Sequence, residues 1–158
     1  MFVPENWPKE VKYTNIISKK SEKVISNLEG IEVKIIRDDT HVLNGEFGVY
    51  ATKEWKPYEI IGCYCGTLVK NIGGKYAAHA YTSKTGDNWL IDASIEGNET
   101  RFINDYRNIE DKPNVFFGKT VVNNRRVIIV IVTKDINKGE EILSDYGDSY
   151  WDYINEND

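Results

Sequence analysis

Two short stretches decide the fold of this chain: Arg101-Phe102-Ile103-Asn104 and Gly139-Glu140-Glu141-Ile142-Leu143-Ser144-Asp145-Tyr146-Gly147. Each stretch alone is weak evidence, since an isolated Asp-Tyr-Gly is usually a half-buried tyrosine that closes a strand. The order and spacing of the two stretches along one chain are what indicate the fold. Related segments upstream extend this series of motifs.

The sequence around these stretches predicts a mainly β (α+β) domain. Residues 31–37 alternate apolar and charged side chains, which is typical of a half-buried strand. Asn123-Asn124 separates two apolar runs and predicts a hairpin turn, because Asn tolerates positive φ. Gly62 and Gly66 interrupt residues 58–69 and indicate bends or a close backbone approach. Further strands are predicted within 45–51, 75–82, 88–93, 114–122, 125–133 and 136–143, a short helix within 11–28, and one helical turn within 98–108.

Composition narrows the class of protein. A length of 158 residues suits one domain, and no apolar run approaches the ~18–20 residues that span a bilayer. The N-terminus lacks the pattern of a signal peptide, so an intracellular location without membrane insertion is expected. A formal net charge of −5 argues against direct nucleic-acid binding. That charge is compatible with a basic peptide partner, although charge alone favours simple solubility as its explanation.

The cysteines and histidines predict no metal site. Cys63 and Cys65 supply only two thiols, too few for a four-ligand zinc site, so both are interpreted as reduced packing residues. His41 and His79 are interpreted as surface or hydrogen-bonded core histidines. The oligomeric state is not indicated.

The full series of segments resembles the SET domain of protein-lysine methyltransferases. The resemblance covers about residues 31–151, which leaves 1–30 as an N-terminal extension and 152–158 as a C-terminal tail. It implies small β-sheets around a knot-like crossing, where the Arg101–Asn104 stretch passes beneath the loop carrying Tyr146. Cysteine-rich flanking zinc segments are absent, as in compact members. The remaining segments of the series are 45–51, 64–66, 91–93, 97–98 and 113–114.

The same resemblance implies an activity, in which a lysine side chain receives a methyl group from S-adenosylmethionine. Tyr146 matches the catalytic tyrosine. The usual substrate of the family is a histone tail, and non-histone proteins are the alternative. A histone substrate would place a eukaryotic protein in the nucleus. The residues implied for the lysine channel are Tyr64, Tyr81 and Ser144. Those implied for donor binding are Glu46, Phe47, Gly48, Arg101, Asn104, Asp105, Tyr146 and Trp151.

The chemistry of these side chains fits the implied roles. Oxygen atoms around a methyl group favour its partial positive charge through weak C–H···O contacts, and aromatic walls hold the apolar stem of a lysine. Asn104 offers both a donor and an acceptor to the amino-acid end of the methyl donor. Trp151 either stacks on the adenine, lines the channel, or anchors the tail. Ser144 stands where a larger Phe or Tyr often limits the number of methyl groups, so products beyond monomethyl-lysine are expected.

One segment departs from the family. Members typically continue with His-Ser-Cys after the asparagine, whereas this chain has Asp105-Tyr106-Arg107. Two alternatives to the enzyme therefore stay open. One is a SET-like peptide-binding module with weak or no catalysis, and the other is an interaction domain of unrelated β fold.

Overall fold

Short strands form nearly all the regular structure in the computed structural model, which describes residues 3–5, 7–15, 28–71, 75–82, 84, 86–122, 125–148 and 150–151. A 3₁₀ turn, Glu99–Phe102, lies between β8 and β9. In chain order the strands are β1 Lys12–Tyr13, β2 Ile31–Ile35, β3 Phe47–Ala51, β4 Ile60–Cys63, β5 Thr67–Lys70, β6 Ala77–Thr82, β7 Asn88–Asp92, β8 Glu96–Gly97, β9 Asn104–Asp105, β10 Val115–Val122, β11 Arg125–Val132 and β12 Leu143–Ser144.

The longer strands pair as antiparallel neighbours in three small sheets. These are β2–β3, β5–β7–β6 and β10–β11–β4. This arrangement confirms the mainly β prediction, including the strands and the helical turn expected within 98–108. The turn residues Asn123 and Asn124 lie outside the described residues, but the flanking strands β10 and β11 do pair antiparallel.

The short helix predicted within 11–28 does not include Lys12 and Tyr13. Lys12 and Tyr13 form strand β1, which pairs in parallel with Glu96 and Gly97 of β8. Their backbone hydrogen bonds go to a distant segment, since Lys12 N donates to Ile95 O at 2.8 Å. The sequence around residues 12 and 13 does not indicate this distant partner strand. Residues 16–27 lie outside the described part of the chain, and the boundaries at 31 and 151 remain predictions.

Gly66 shows the close backbone approach expected from the sequence. A Cβ atom on this residue would lie 2.4 Å from the Asp92 carbonyl oxygen, well inside van der Waals contact. No side chain fits between these two backbones. The glycine therefore lets the chain between β4 and β5 pass directly beside the end of β7.

Two hydrophobic clusters support the molecule. The larger contains Val49, Phe102, Ile103 and Ile142, and thus lies against both stretches that decided the fold. The smaller contains Tyr64 and Cys65. Cys63 and Cys65 are both buried thiols outside any disulfide, as expected of packing residues. No helix of the described residues is long and apolar enough to cross a membrane.

The crossing of the two stretches is a parallel pair of two-residue strands. Leu143 of β12 aligns with Asn104 of β9, and Ser144 aligns with Asp105. Tyr106 N donates to Ser144 O at 2.9 Å and continues the ladder. Beside it, the Asn114 side chain receives a hydrogen bond from Leu143 N at 2.8 Å and donates one to Glu141 O. Residues far apart in sequence therefore meet at one place.

Candidate active site

Tyr146 lies directly beside the β9 stretch. Its hydroxyl donates to the carbonyl oxygen of Ile103 at 2.5 Å, and its backbone N–H donates to Asp105 Oδ2 at 2.8 Å. Burial raises the pKa of the phenol, and the nearby Tyr150 and Asp105 raise it further. The phenol therefore stays neutral at physiological pH and cannot act there as a general base.

Aromatic side chains surround Tyr146. The Tyr150 ring stands edge-on to the Tyr146 ring at 4.8 Å and to the Trp151 ring at 5.5 Å. Tyr64 is buried, and its hydroxyl donates to Tyr76 O at 2.6 Å. Burial raises the pKa of Tyr64, and Tyr146 raises it further. The sequence predicted three of these side chains and missed Tyr76 and Tyr150.

Two buried polar atoms in this region have no hydrogen-bond partner among the described residues. They are Ser144 Oγ and Trp151 Nε1. A buried polar group without a partner usually costs about 1–3 kcal/mol, so native proteins leave few of them unexplained. Both atoms belong to residues predicted for the site. A ligand or an ordered water molecule at this site would give each atom the partner it lacks.

Arg101 is buried beneath the aromatic group. Its Nε donates to Ala93 O at 2.8 Å, and its guanidinium lies 4.1 Å from the centre of the Tyr76 ring. Burial lowers its pKa. This side chain therefore ties the 3₁₀ turn to the end of β7. Donor binding, the role that the resemblance implies for Arg101, stays a prediction.

Asn104 points to the other side, towards the loop predicted to approach the donor. Its Nδ2 donates to Phe47 O at 2.9 Å and to Glu141 Oε1 at 3.0 Å. Both amide hydrogens are thus engaged by the protein. The remaining polar atom, Oδ1, is an acceptor without a recorded partner among the described residues.

Glu141 connects the loop, strand β3 and Asn104, although sequence analysis gave it no role. Its second oxygen pairs with His41 Nε2 at 3.0 Å, and its side chain is only 8% exposed. Leu43 N donates to His41 Nδ1, so Nε2 carries the ring hydrogen and donates to Glu141. His41 is therefore a hydrogen-bonded histidine, as the sequence interpretation allowed.

Gly48 is required by this carboxylate. A Cβ on Gly48 would lie 2.8 Å from Glu141 Oε1. The neighbouring Phe47 packs its ring against Phe102 at 4.9 Å, and Glu46 is exposed, with its carbonyl oxygen bonded to Ile36 N. Contacts within the protein itself therefore fix the backbone of the loop that contains Glu46, Phe47 and Gly48.

Asp105 and Arg107 form an ion pair on the Tyr146 side of the crossing. Arg107 Nη1 lies 2.9 Å from Asp105 Oδ2 and from Asp145 Oδ1, and Nη2 lies 3.0 Å from Asp148 Oδ1. The segment that departs from the family is therefore internally paired. Spacing along the sequence could have suggested the 105–107 pair, but not the two distant aspartates.

Tyr81 lies in β6, and its side chain is outside the described part of the chain, as is that of His79. A cavity of about 630 Å³ opens on the far side of Glu141. It is lined by side chains that include Lys34, His41, Tyr50 and Lys134, and by none of the predicted donor-binding residues. Among the described residues, no group of three His, Cys, Asp or Glu side chains could hold a metal ion.

Comparison with known proteins places these features in a family. A family model of the SET domain matches residues 46–147. Histone-lysine N-methyltransferase set1 of Dictyostelium discoideum is 28% identical over 123 residues, which cover 72% of this chain and 8% of that protein. N-lysine methyltransferase KMT5A-A of Xenopus laevis is 32% identical over 122 residues, which cover 68% of this chain and 35% of that protein. The chain thus spans much less than two thirds of either relative.

Solved structures share the fold. The crystal structure of ATXR5 in complex with mono-methylated histone H3.1 aligns with a TM-score of 0.60 at 23% identity, covering 74% of this chain and 56% of ATXR5. A chain of the polycomb repressive complex 2 from Chaetomium thermophilum aligns with a TM-score of 0.58 at 23% identity, covering 75% and 15%. At this identity the likeness concerns the backbone fold.

Proposed function

The chain belongs to the SET domain family, and we propose that it transfers methyl groups from S-adenosylmethionine to a lysine side chain of a protein substrate. One contact carries the proposal: the Tyr146 hydroxyl bonds to Ile103 O at 2.5 Å, immediately before Asn104. The predicted catalytic phenol is thereby held at the backbone of the residue that precedes the predicted donor-binding Asn104, although Tyr146 and Asn104 are far apart in sequence.

Three side chains support a site for the donor and the substrate lysine here. Asn104 has both amide hydrogens engaged, so its Oδ1 is left to accept a hydrogen bond from an ammonium group such as that of the donor. Trp151 and Ser144 each have a buried polar atom that lacks a partner among the described residues. The bound donor would supply an electrophilic methyl group carried on a positively charged sulfur.

Tyr146 acts by orientation and electrostatics in this proposal. Its phenol is neutral, because burial raises its pKa, and its oxygen favours the partial positive charge of a methyl group in transfer. The lysine amine releases its proton to water before it attacks, so no protein base is needed. Tyr64 and Tyr81 line the channel for the lysine stem. Alignment of the lysine amine with the methyl group of the donor lowers the activation free energy by on the order of several kcal/mol.

The proposed substrate is a basic, lysine-containing peptide, most simply a histone tail. The net charge of −5 suits such a partner. Relatives named as histone-lysine methyltransferases and the ATXR5 complex with histone H3.1 support this choice. A histone substrate would imply work in the nucleus of a eukaryotic cell.

Ser144 extends the proposal to the product. Its side chain is fully buried, and its hydroxyl lacks a partner among the described residues. A small residue there leaves room for a methylated amine or a water molecule. We expect mass spectrometry of an exhaustive reaction to show dimethyl- or trimethyl-lysine, and a product that stops at monomethyl-lysine would contradict this role.

Methyl transfer from labelled donor to a panel of histones and histone peptides tests the main proposal. Tyr146→Phe should lower kcat at least about a hundredfold, whereas Tyr58→Phe, at a tyrosine that is 89% exposed, should leave it unchanged. Unchanged transfer by Tyr146→Phe would refute the mechanism. Calorimetry that finds no uptake of the donor would favour the peptide-binding module instead.

A further inference from the structure

Arg107 is the centre of an ion-pair cluster that spans the crossing. It reaches Asp105 on its own segment and both Asp145 and Asp148 on the segment that carries Tyr146. The guanidinium offers several N–H donors in a fixed plane, which suits simultaneous contact with separate carboxylates. A single side chain thus links the residues on both sides of Tyr146 to β9.

The Asp105 carboxylate is fully engaged. Its Oδ1 accepts from Arg107 N at 2.9 Å, and its Oδ2 accepts from Tyr146 N at 2.8 Å and from Arg107 Nη1 at 2.9 Å. The Asp105 side chain is only 5% exposed. A buried carboxylate beside the phenol needs a balancing charge, and among the described residues Arg107 is the cation recorded in contact with it.

The crossing has few other means of fixing the Tyr146 backbone. Strands β9 and β12 each have two residues, so the ladder between them contributes few hydrogen bonds. Beyond that ladder, the Asp145 carboxylate receives both Gly147 N at 2.8 Å and Arg107 Nη1. Besides the hydroxyl contact with Ile103 O, the direction of the Tyr146 side chain therefore depends on backbone contacts that lead back to the guanidinium.

We propose that Arg107 is a positioning residue for methyl transfer, which acts through Asp105 and Asp145 to hold the Tyr146 phenol in its reactive direction. The proposal rests on the function proposed above. It gives the Asp105-Tyr106-Arg107 departure a purpose: the acid that replaces the usual histidine is neutralised within its own segment and supports the tyrosine backbone.

The test compares Arg107→Met with the matched surface change Arg126→Met on the β10–β11 hairpin. Arg107→Met should lower kcat about tenfold with KM values for donor and peptide within about twofold, because the phenol is displaced while the binding groups remain. Arg126→Met should match the wild type. An Arg107→Met enzyme with wild-type kcat, or a fall seen only in KM, would overturn the positioning role.

Two further variants separate positioning from general damage. Asp105→Asn combined with Arg107→Met should regain part of the lost kcat, since the amide oxygen still accepts from Tyr146 N and no unpaired charge remains. Arg107→Lys should lose about threefold in kcat, because one ammonium cannot bridge the same carboxylates. If Arg107→Met does not fold, these two decide the matter, and wild-type kcat in Arg107→Lys overturns the proposal.

The two proposals fail in different ways. A wild-type protein that transfers no methyl group to any substrate while binding the donor normally would end both. A wild-type enzyme that is active, with Arg107 variants of equal kcat, would end only the positioning role.

Discussion

Asn104 and Asp105 are neighbours in one short strand, yet different kinds of interaction hold their side chains. Asn104 enters a closed group of hydrogen bonds with Phe47 O and Glu141, which is itself bonded to His41. Asp105 enters an ion-pair cluster whose outer member, Asp148, is 94% exposed. Successive side chains of a strand point to opposite faces, and β9 uses this alternation to serve two different sides of the crossing.

The difference indicates on which side the removal of one contact should destabilise the fold most. On the Asn104 side, a lost partner leaves partly buried donors without a protein acceptor, and water replaces that acceptor only in part. On the Asp105 side, Arg107 is 27% exposed, so solvent and salt can compensate part of a lost contact. Stability should therefore depend mainly on the Asn104 side, and orientation of Tyr146 mainly on the Asp105 side.

Glu141→Ala should give the largest loss of stability. It removes the acceptor for Asn104 Nδ2 and for His41 Nε2, so we expect the free energy of unfolding to fall by about 2–4 kcal/mol, about 1–2 for each stranded donor. Urea denaturation measures the change. Its exposed neighbour provides the control, since Glu140→Ala should cost less than about 1 kcal/mol. Equal losses for the two variants would contradict the comparison.

Gly48→Ala should have the next largest effect, at about 1–3 kcal/mol, because the new methyl group would meet Glu141 Oε1 at 2.8 Å. The double variant with Glu141→Ala gives a sharper measurement. Removal of the carboxylate relieves the contact. The loss of stability in the double variant should therefore be smaller than the sum of the losses in the two single variants. Full additivity in denaturant unfolding would show that Gly48 is required for another reason.

Asp105→Ala should cost less, about 1–2 kcal/mol, mainly through the unpaired Tyr146 N–H. Asp148→Asn is the control on the same cluster and should leave the denaturation midpoint unchanged, given its exposure. A larger loss for Asp105→Ala than for Glu141→Ala would reverse the ranking of the two sides.

The smallest expected effect is a pH dependence of stability that arises from Tyr50. Burial and then the Glu141 carboxylate raise the pKa of Tyr50 to about 12 from an ordinary value near 10. The folded protein therefore holds this proton more tightly than the unfolded chain. The stability that it contributes is complete below about pH 10 and is lost as the pH rises through 12. The stability difference between wild type and Tyr50→Phe should narrow over this interval, and an unchanged difference would refute the coupling.

Much of the fold was readable from local sequence. Alternation over residues 31–37, the apolar runs on both sides of Asn123-Asn124, and the glycine at position 66 each predicted a feature that the described residues contain. These signals are local, since strand periodicity and the space for a Cβ are set within a few residues. The two-residue strands β1, β8, β9 and β12 carry no such period, so the sequence alone did not predict the pairing of β1 with β8.

By itself the sequence determined the family resemblance and predicted roles for Tyr146, Asn104 and Ser144, because residue type and order are enough for both. The tertiary structure alone decided how these side chains are held. His41 meets Glu141 across 100 positions, and Arg107 meets Asp148 across 41. Such pairings depend on which strands cross and which way each side chain points, and neither property is encoded in any short window of the chain.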